Sequence, residues 1–199
     1  MKTNLFRALP LAIYCLVFLN LSSIQAQENN LKKFTLGTQF QQVQGDLGFG
    51  IHLLTPGFLG GFRVKNSYNR NYVFHPDNQG STTTSAYWNM NFGTRYQFVV
   101  VENINFYVEA GSQMLINPST VSSEQFNFGG YGLAGMEIFI SENLNKNLSF
   151  FLEMGGAGNN SRADKLPTQP KLATGFHASV GVAYSIRIKK SKQKNNENN

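Results

Sequence analysis

The sequence predicts an all-β fold in which eight antiparallel strands close into one barrel. Three observations support this prediction: strand-forming residues recur in eight segments, apolar and polar side chains alternate within them, and the links between them alternate between short and long. Successive side chains of a strand point to opposite faces, so this pattern gives each strand one apolar face and one polar or small face. The length of 199 residues is that expected for a single domain.

The first 26 residues have the pattern of a secretory signal peptide. Lys2 and Arg7 supply the positive start, an apolar run occupies 9–21, and small residues lead to an expected cleavage after Ala26. A membrane-spanning helix needs about 20 consecutive apolar residues, and this run is shorter. We therefore predict a signal peptide at 1–26 that directs the chain to export.

The rest of the chain divides into a short N-terminal segment at 27–32, the barrel at 33–188 and a basic tail at 189–199. The tail is polar and low in complexity, which predicts that it is disordered. Most of the formal net charge of +6 belongs to the signal peptide and the tail, and the barrel itself is close to neutral. The positive charge therefore does not indicate nucleic-acid binding.

Turn chemistry separates the eight predicted strands. The links after strands two, four and six are short, whereas those after strands three, five and seven are long and polar. This asymmetry is typical of transmembrane β-barrels of bacterial outer membranes, which have short periplasmic turns and long outer loops. The predicted strands cover 33–42, 48–54, 58–74, 86–100, 104–116, 126–140, 148–158 and 171–188, and the first outer loop is expected at 43–47.

The alternation is clearest in the fourth and eighth strands. Trp88 and Phe92 share one face of strand four, and Asn91 lies on the other. In strand eight, Val180 and Tyr184 lie on the apolar face, opposite small and polar residues. A soluble antiparallel sandwich alternates in the same way, but apolar faces long enough to cross a bilayer and opposite faces rich in glycine, alanine and serine favour the membrane barrel.

Aromatic residues near the proposed periplasmic ends of the strands add to this interpretation. Membrane barrels carry girdles of aromatic side chains at the bilayer interfaces. We expect such a girdle to include Phe98, Phe106, Phe139, Phe150 and Tyr184.

Charged residues on the inward face are the most informative constellation. Strand parity places the basic residues of strands three and four beside the acidic residues of strands five to seven, at similar distances from the periplasmic end. An eight-stranded barrel has an interior just wide enough for side chains to fill, so we predict a structural layer of ion pairs that plugs the lumen. An ion pathway or an acid–base site is the alternative. The predicted lumen charge layer comprises Arg63, Lys65, Arg95, Glu109, Glu137, Glu153 and Arg187.

His177 and Ser179 form a His-x-Ser pair on one face of strand eight, as a base and a nucleophile would require. Parity points the pair into the lumen, away from lipid, so we interpret both as polar lumen residues. The isolated His52 and His75 give no metal-ligand spacing, and the only cysteine, Cys15, lies in the signal peptide. We therefore predict no catalytic residues, no cofactor and no metal site.

Over residues 33–188 the chain resembles the small OmpX/OmpA-type family of bacterial outer-membrane β-barrels. The resemblance depends on the signal peptide, the eight alternating strands, the loop asymmetry and the glycine–aromatic strands at 126–140 and 174–188. It departs from the family pattern at its end, where Ile186, Ile188 and a basic tail follow Tyr184 in place of a terminal aromatic residue.

The resemblance implies a non-enzymatic, monomeric protein in the outer membrane of a Gram-negative cell, with a structural or surface-interaction role. Its expected partners are outer-membrane lipid and an extracellular partner at the outer loops, with no nucleic acid. A narrow pore for small solutes or ions is the first alternative. A lipid-modifying hydrolase built on His177 and Ser179 is the second.

Overall fold

The computed structural model of this chain is all-β and contains a closed barrel of eight antiparallel strands. It describes residues 33–56, 61–74, 82–101, 103–140, 147–166 and 168–187. Each strand pairs with its neighbours in sequence, and β1 pairs with β8 to close the barrel. The strands are β1 (Lys33–Val43), β2 (Asp46–Thr55), β3 (Phe62–Phe74), β4 (Thr82–Val101), β5 (Ile104–Ile116), β6 (Phe126–Phe139), β7 (Leu148–Asn159) and β8 (Gly175–Arg187).

The register shows how strongly the strands are staggered. Thr35 of β1 pairs with Ser185 of β8 on one side. Following the paired residues from Thr35 through β2 to β7 in turn leads to Gly175 of β8. Gly175 is ten residues from Ser185, and this offset is the stagger of the barrel. Such a stagger requires the strands to tilt by roughly 35–45° to the barrel axis. Residues far apart in sequence therefore meet at one height inside the barrel.

The barrel is polar inside and apolar outside. Buried side chains include charged and amide groups such as Arg63, Lys65, Gln113 and Glu153, each 0% exposed. Every strand carries exposed large hydrophobic side chains, for example Phe34, Phe49, Phe62, Trp88, Phe106, Phe128, Phe150 and Phe176. This arrangement reverses the ordinary one, in which charged residues are seldom fully buried and apolar residues fill the core.

The two ends of the barrel differ. The links after β1, β3, β5 and β7 lie at one end, which we call the loop end, and the links after β2, β4 and β6 lie at the opposite turn end. β1 and β2 are joined by only Gln44 and Gly45, so the outer loop expected at 43–47 is a two-residue turn.

Several predicted boundaries and one predicted orientation were wrong. β4 begins at Thr82, within the region expected to be a loop, because Thr82–Ser85 pair with the end of β3. β8 begins at Gly175, later than the predicted 171. Phe139 is 9% exposed and shares the inward face of β6 with Glu137, so it is not part of an outer girdle. A register shift between Gln97 and Val99 interrupts the alternation at Phe98.

The predicted signal peptide at 1–26, the segment at 27–32, His75 and the tail at 189–199 lie outside the described residues. The part of the chain that is described contains no helix long and apolar enough to cross a membrane.

Candidate functional site

Four charged side chains meet inside the barrel and form what we call the charge quartet: Arg63, Lys65, Glu109 and Glu153. Arg63 Nη1 lies 3.0 Å from Glu109 Oε2, and Lys65 Nζ lies 3.1 Å from Glu109 Oε1. Lys65 Nζ also lies 2.9 Å from Glu153 Oε2, and Arg63 pairs with Glu153. Each carboxylate therefore contacts both cations, and the two positive and two negative charges balance.

Strand geometry explains how the quartet assembles. Arg63 and Lys65 are two residues apart in β3, so both point inward, while Glu109 lies in β5 and Glu153 in β7. The stagger of the barrel brings these three non-adjacent strands to one height, and the side chains reach across the interior. All four side chains are at most 1% exposed.

Hydroxyl groups complete the hydrogen bonding of the two carboxylates. The Tyr107 hydroxyl donates to Glu153 Oε1 at 2.7 Å, and the Ser179 hydroxyl donates to Glu153 Oε2 at 2.6 Å. The Tyr131 hydroxyl donates to Glu109 Oε1 at 2.8 Å. Removing a charge from water costs several kcal/mol per ion unless it is paired and hydrogen-bonded, and both carboxylates meet these conditions.

Arg95 and Glu137 form a separate ion pair inside the barrel. The Ser149 hydroxyl donates to Glu137 Oε1 at 2.6 Å. The Arg95 guanidinium carbon lies 3.5 Å from the centre of the Tyr107 ring, so Tyr107 bridges this pair and the quartet. The predicted single layer is thus two clusters joined by a tyrosine. Arg187 ends β8, and its side chain lies outside the described residues.

Two interior tyrosines, Tyr107 and Tyr131, were not included in the predicted lumen charge layer. Tyr107 shares the inward parity of Glu109 in β5, and Tyr131 shares that of Glu137 in β6. This parity was the signal that could have identified both as members of the interior network. Small residues leave room for their rings: a Cβ atom at Gly135 would lie 2.6 Å from Tyr107 Cζ, and one at Gly93 would lie 2.2 Å from the Tyr131 hydroxyl. The inward glycines therefore create the space that the tyrosines occupy.

Replacing Gly135 with alanine is expected to destabilise the barrel by about 1–3 kcal/mol, because overpacking a filled interior has this cost. The new methyl group would overlap the Tyr107 ring, which its contacts with Glu153 and Arg95 hold in place. Gly132→Ala is the matched control on the same strand, since a Cβ atom there meets nothing within 4 Å. Urea unfolding of the refolded proteins measures the difference, and equal midpoints for the two variants would contradict the prediction.

His177 and Ser179 both lie inside the barrel, at 0% and 3% exposure. The Ser179 hydroxyl donates to Glu153, and neither ring nitrogen of His177 has a hydrogen-bond partner among the described residues. The pair therefore does not have the hydrogen bond between base and nucleophile that covalent catalysis uses. Within the described ranges, no cluster of three or more histidine, cysteine, aspartate or glutamate residues could hold a metal ion.

The loop end is covered by two long links that pack together, residues 117–125 and residues 160–166 with 168–174. We call them the loop cap. Their buried residues Val121, Ala163 and Leu172 pack in one apolar cluster with Val43, Tyr87 and Leu115 of the strands. This apolar cluster joins the cap to β1, β4 and β5 at the loop end.

Polar contacts join the two links of the cap to each other. The Asn117 amide donates to the Ser161 hydroxyl at 2.8 Å, and the Lys165 ammonium donates to the Ser119 carbonyl oxygen at 2.6 Å. Asp164 accepts hydrogen bonds from the backbone nitrogen of Ser123 at 2.8 Å and from its hydroxyl. These hydrogen bonds connect residues 117–123 to residues 161–165.

The hydrogen bonds from Ser123 lower the pKa of the exposed Asp164 carboxyl below its ordinary value of 3.8. The stabilisation from this contact is therefore present above pH 3.8 and is lost as the pH falls through the lowered pKa. An NMR titration of the Asp164 carboxyl carbon should show this low midpoint, and Ser123→Ala should raise it. An unchanged midpoint in Ser123→Ala would contradict the assignment.

Neither a comparison with protein-family models nor a comparison with curated protein sequences finds a match to this chain. Function is therefore inferred from the geometry of the chain itself.

Proposed function

We propose that this protein is a structural or surface-interaction β-barrel of a bacterial outer membrane, with an interior closed by the charge quartet and the loop cap. The observation that supports this most directly is the apolar outer wall. Exposed large hydrophobic side chains occur on all eight strands, with Phe128 at 70% and Phe176 at 61% exposure. Water-soluble monomers seldom expose a continuous apolar surface of this extent.

A bilayer accounts for both faces of the wall. Strands of 10–20 residues, tilted as the stagger requires, are long enough to cross the hydrocarbon region. Closure of the barrel leaves no unpaired strand edge in lipid. A polar interior is also expected of such a barrel. The predicted signal peptide supports export, and the long loops make the loop end the natural outer side.

The interior favours a structural role over transport or catalysis. The quartet reaches across the barrel from β3 to β5 and β7, and the loop cap covers the same passage at the loop end. The surface of the cap and the two-residue turn after β1 would face the outside, where a partner would bind. Outer-membrane lipid would contact the apolar wall.

Cell fractionation with gel mobility tests this proposal. The mature protein should be recovered with outer membranes, and it should migrate differently in detergent gels before and after boiling, because a closed barrel resists unfolding by the detergent. The purified barrel should give no steady conductance in planar bilayers. Recovery in the soluble periplasm without a mobility shift would exclude the membrane location, and steady conductance would exclude the closed interior.

A further inference from the structure

Asp46 is a buried carboxylate at the loop end to which three uncharged groups donate hydrogen bonds. The Tyr87 hydroxyl lies 2.5 Å from Asp46 Oδ2, and the Ala173 amide nitrogen lies 3.0 Å from the same oxygen. The Asn71 side-chain amide donates to Oδ1. Asp46 is 2% exposed. Because the donors belong to β3, β4 and the loop cap, one carboxylate joins two barrel strands to the cap.

The link of the cap that contacts Asp46 contains residues in an unfavourable backbone conformation. Ala173, which is 0% exposed, has a φ of 47°, and Thr168 and Gln169 in the same link have φ values of 66° and 43°. Residues other than glycine rarely adopt this left-handed backbone conformation, so it persists only where neighbouring contacts stabilise it. The amide of Ala173 is the cap group that Asp46 binds, so the hydrogen bond and the strained backbone are directly connected.

The interior below the cap is hydrophilic. Moving along β4 away from the loop end, Tyr87 is followed on the inward face by Asn89 and Asn91. The amide atoms of both asparagines, and the Nε2 atom of Gln113 opposite Asn91, have no hydrogen-bond partner among the described residues. Buried polar groups of this kind favour contact with water, so displacement of the cap would expose a surface that water readily wets.

We propose that the loop cap is a lid over the barrel and that Asp46 is the latch that keeps it closed. With the latch in place, the cap excludes solvent from the space between itself and the charge quartet. When the latch is released, the strained link containing Ala173 relaxes and the loop end opens to water and small polar solutes, while the quartet still closes the barrel below. This device depends only on contacts within the chain and does not require a membrane location.

A cysteine at a buried position of β4 beside the latch can report whether the loop end is open. Ser85 is suited to this, because it is 2% exposed and its hydroxyl has no hydrogen-bond partner among the described residues. In a chain with Cys15→Ser, the Ser85→Cys thiol should react slowly with a charged methanethiosulfonate reagent. Adding Asp46→Asn should accelerate the reaction by roughly tenfold or more, since hydrogen bonds to a charged acceptor are among the stronger ones.

Two matched variants separate release of the latch from general loosening. Asp164→Asn removes a carboxylate that binds within the cap and should leave the Ser85→Cys rate nearly unchanged. Tyr87→Phe removes one hydrogen-bond donor to Asp46 and should accelerate the reaction of the Ser85→Cys thiol by a smaller factor. If Asp46→Asn does not fold, Tyr87→Phe alone tests whether the Asp46 contacts keep the cap closed. Ser119→Cys, on the exposed part of the cap, sets the rate of an open site.

The proposal is overturned by any of three results. These are an unchanged Ser85→Cys rate in folded Asp46→Asn or Tyr87→Phe, an equal acceleration by Asp164→Asn, and a parent rate already as fast as that of Ser119→Cys. In each case the fluorescence of Trp88, and its change on unfolding in urea, show whether the barrel is folded.

Discussion

Replacing Glu153 with alanine is expected to reduce the free energy of unfolding by about 3–5 kcal/mol, the usual cost of removing one partner from a buried ion pair. Glu153 contacts both cations of the quartet and accepts hydrogen bonds from Tyr107 and Ser179. Its loss leaves one buried positive charge without compensation. Urea unfolding followed by the fluorescence of Trp88, the only tryptophan, measures the change.

Glu124→Ala is the control for this experiment, because Glu124 is an exposed carboxylate in the loop cap and surface substitutions usually change stability by less than about 0.5 kcal/mol. A double variant, Lys65→Met with Glu153→Met, restores equal numbers of opposite charges and should recover a large part of the loss. Two results would show that the ion pairs do not stabilise the barrel. One is a Glu153→Ala variant as stable as the parent. The other is a double variant whose loss in unfolding free energy equals the sum of the losses in its two single variants.

Strand parity depends only on position within a strand, and the inward positions it gave hold buried side chains at Arg63, Lys65, Arg95, Glu109, Glu137 and Glu153. Asp46, which is also buried, was missed because residues 43–47 were expected to form a loop. Which of the inward charged residues would pair was not predictable, since the contact between Arg63 and Glu153 joins residues 90 positions apart and depends on the stagger of the whole barrel. The contacts of Tyr107 were not predicted either, because parity places its ring on the inward face with Glu109 but does not indicate which charged groups it reaches.

The loop cap could not be predicted from the sequence. Val121 and Ala163 stand among polar residues without a periodic pattern, so their links were interpreted as polar loops. Leu172 was assigned to the eighth strand. The start of β4 was missed because the polar run containing Thr82–Ser85 resembles turn chemistry. Threonine is also a good strand former, and pairing with β3 decides in favour of the strand.

Replacing Val180 with arginine should show whether the outer wall faces lipid. Val180 lies midway along β8, is 51% exposed, and has Phe40 and Leu152 as its neighbours on the adjacent strands. At the middle of a bilayer an arginine on the outer wall of a barrel costs about 2–4 kcal/mol. We expect a loss of this size in the unfolding free energy measured in lipid vesicles, with Val180→Leu as the control of unchanged polarity.

The depth of the substitution distinguishes a bilayer from other causes of instability. Gln42 lies on the outer face of β1 close to the loop end, and the cost of an arginine near the interface falls to about 0–1 kcal/mol. Gln42→Arg should therefore change the unfolding free energy in lipid much less than Val180→Arg does. In water both sites are exposed surface, and a side chain of either kind would change stability by less than about 0.5 kcal/mol. Equal and small effects at the two sites would mean that water, not lipid, contacts the wall, whereas a gradient with depth requires a hydrocarbon layer around the middle of the barrel.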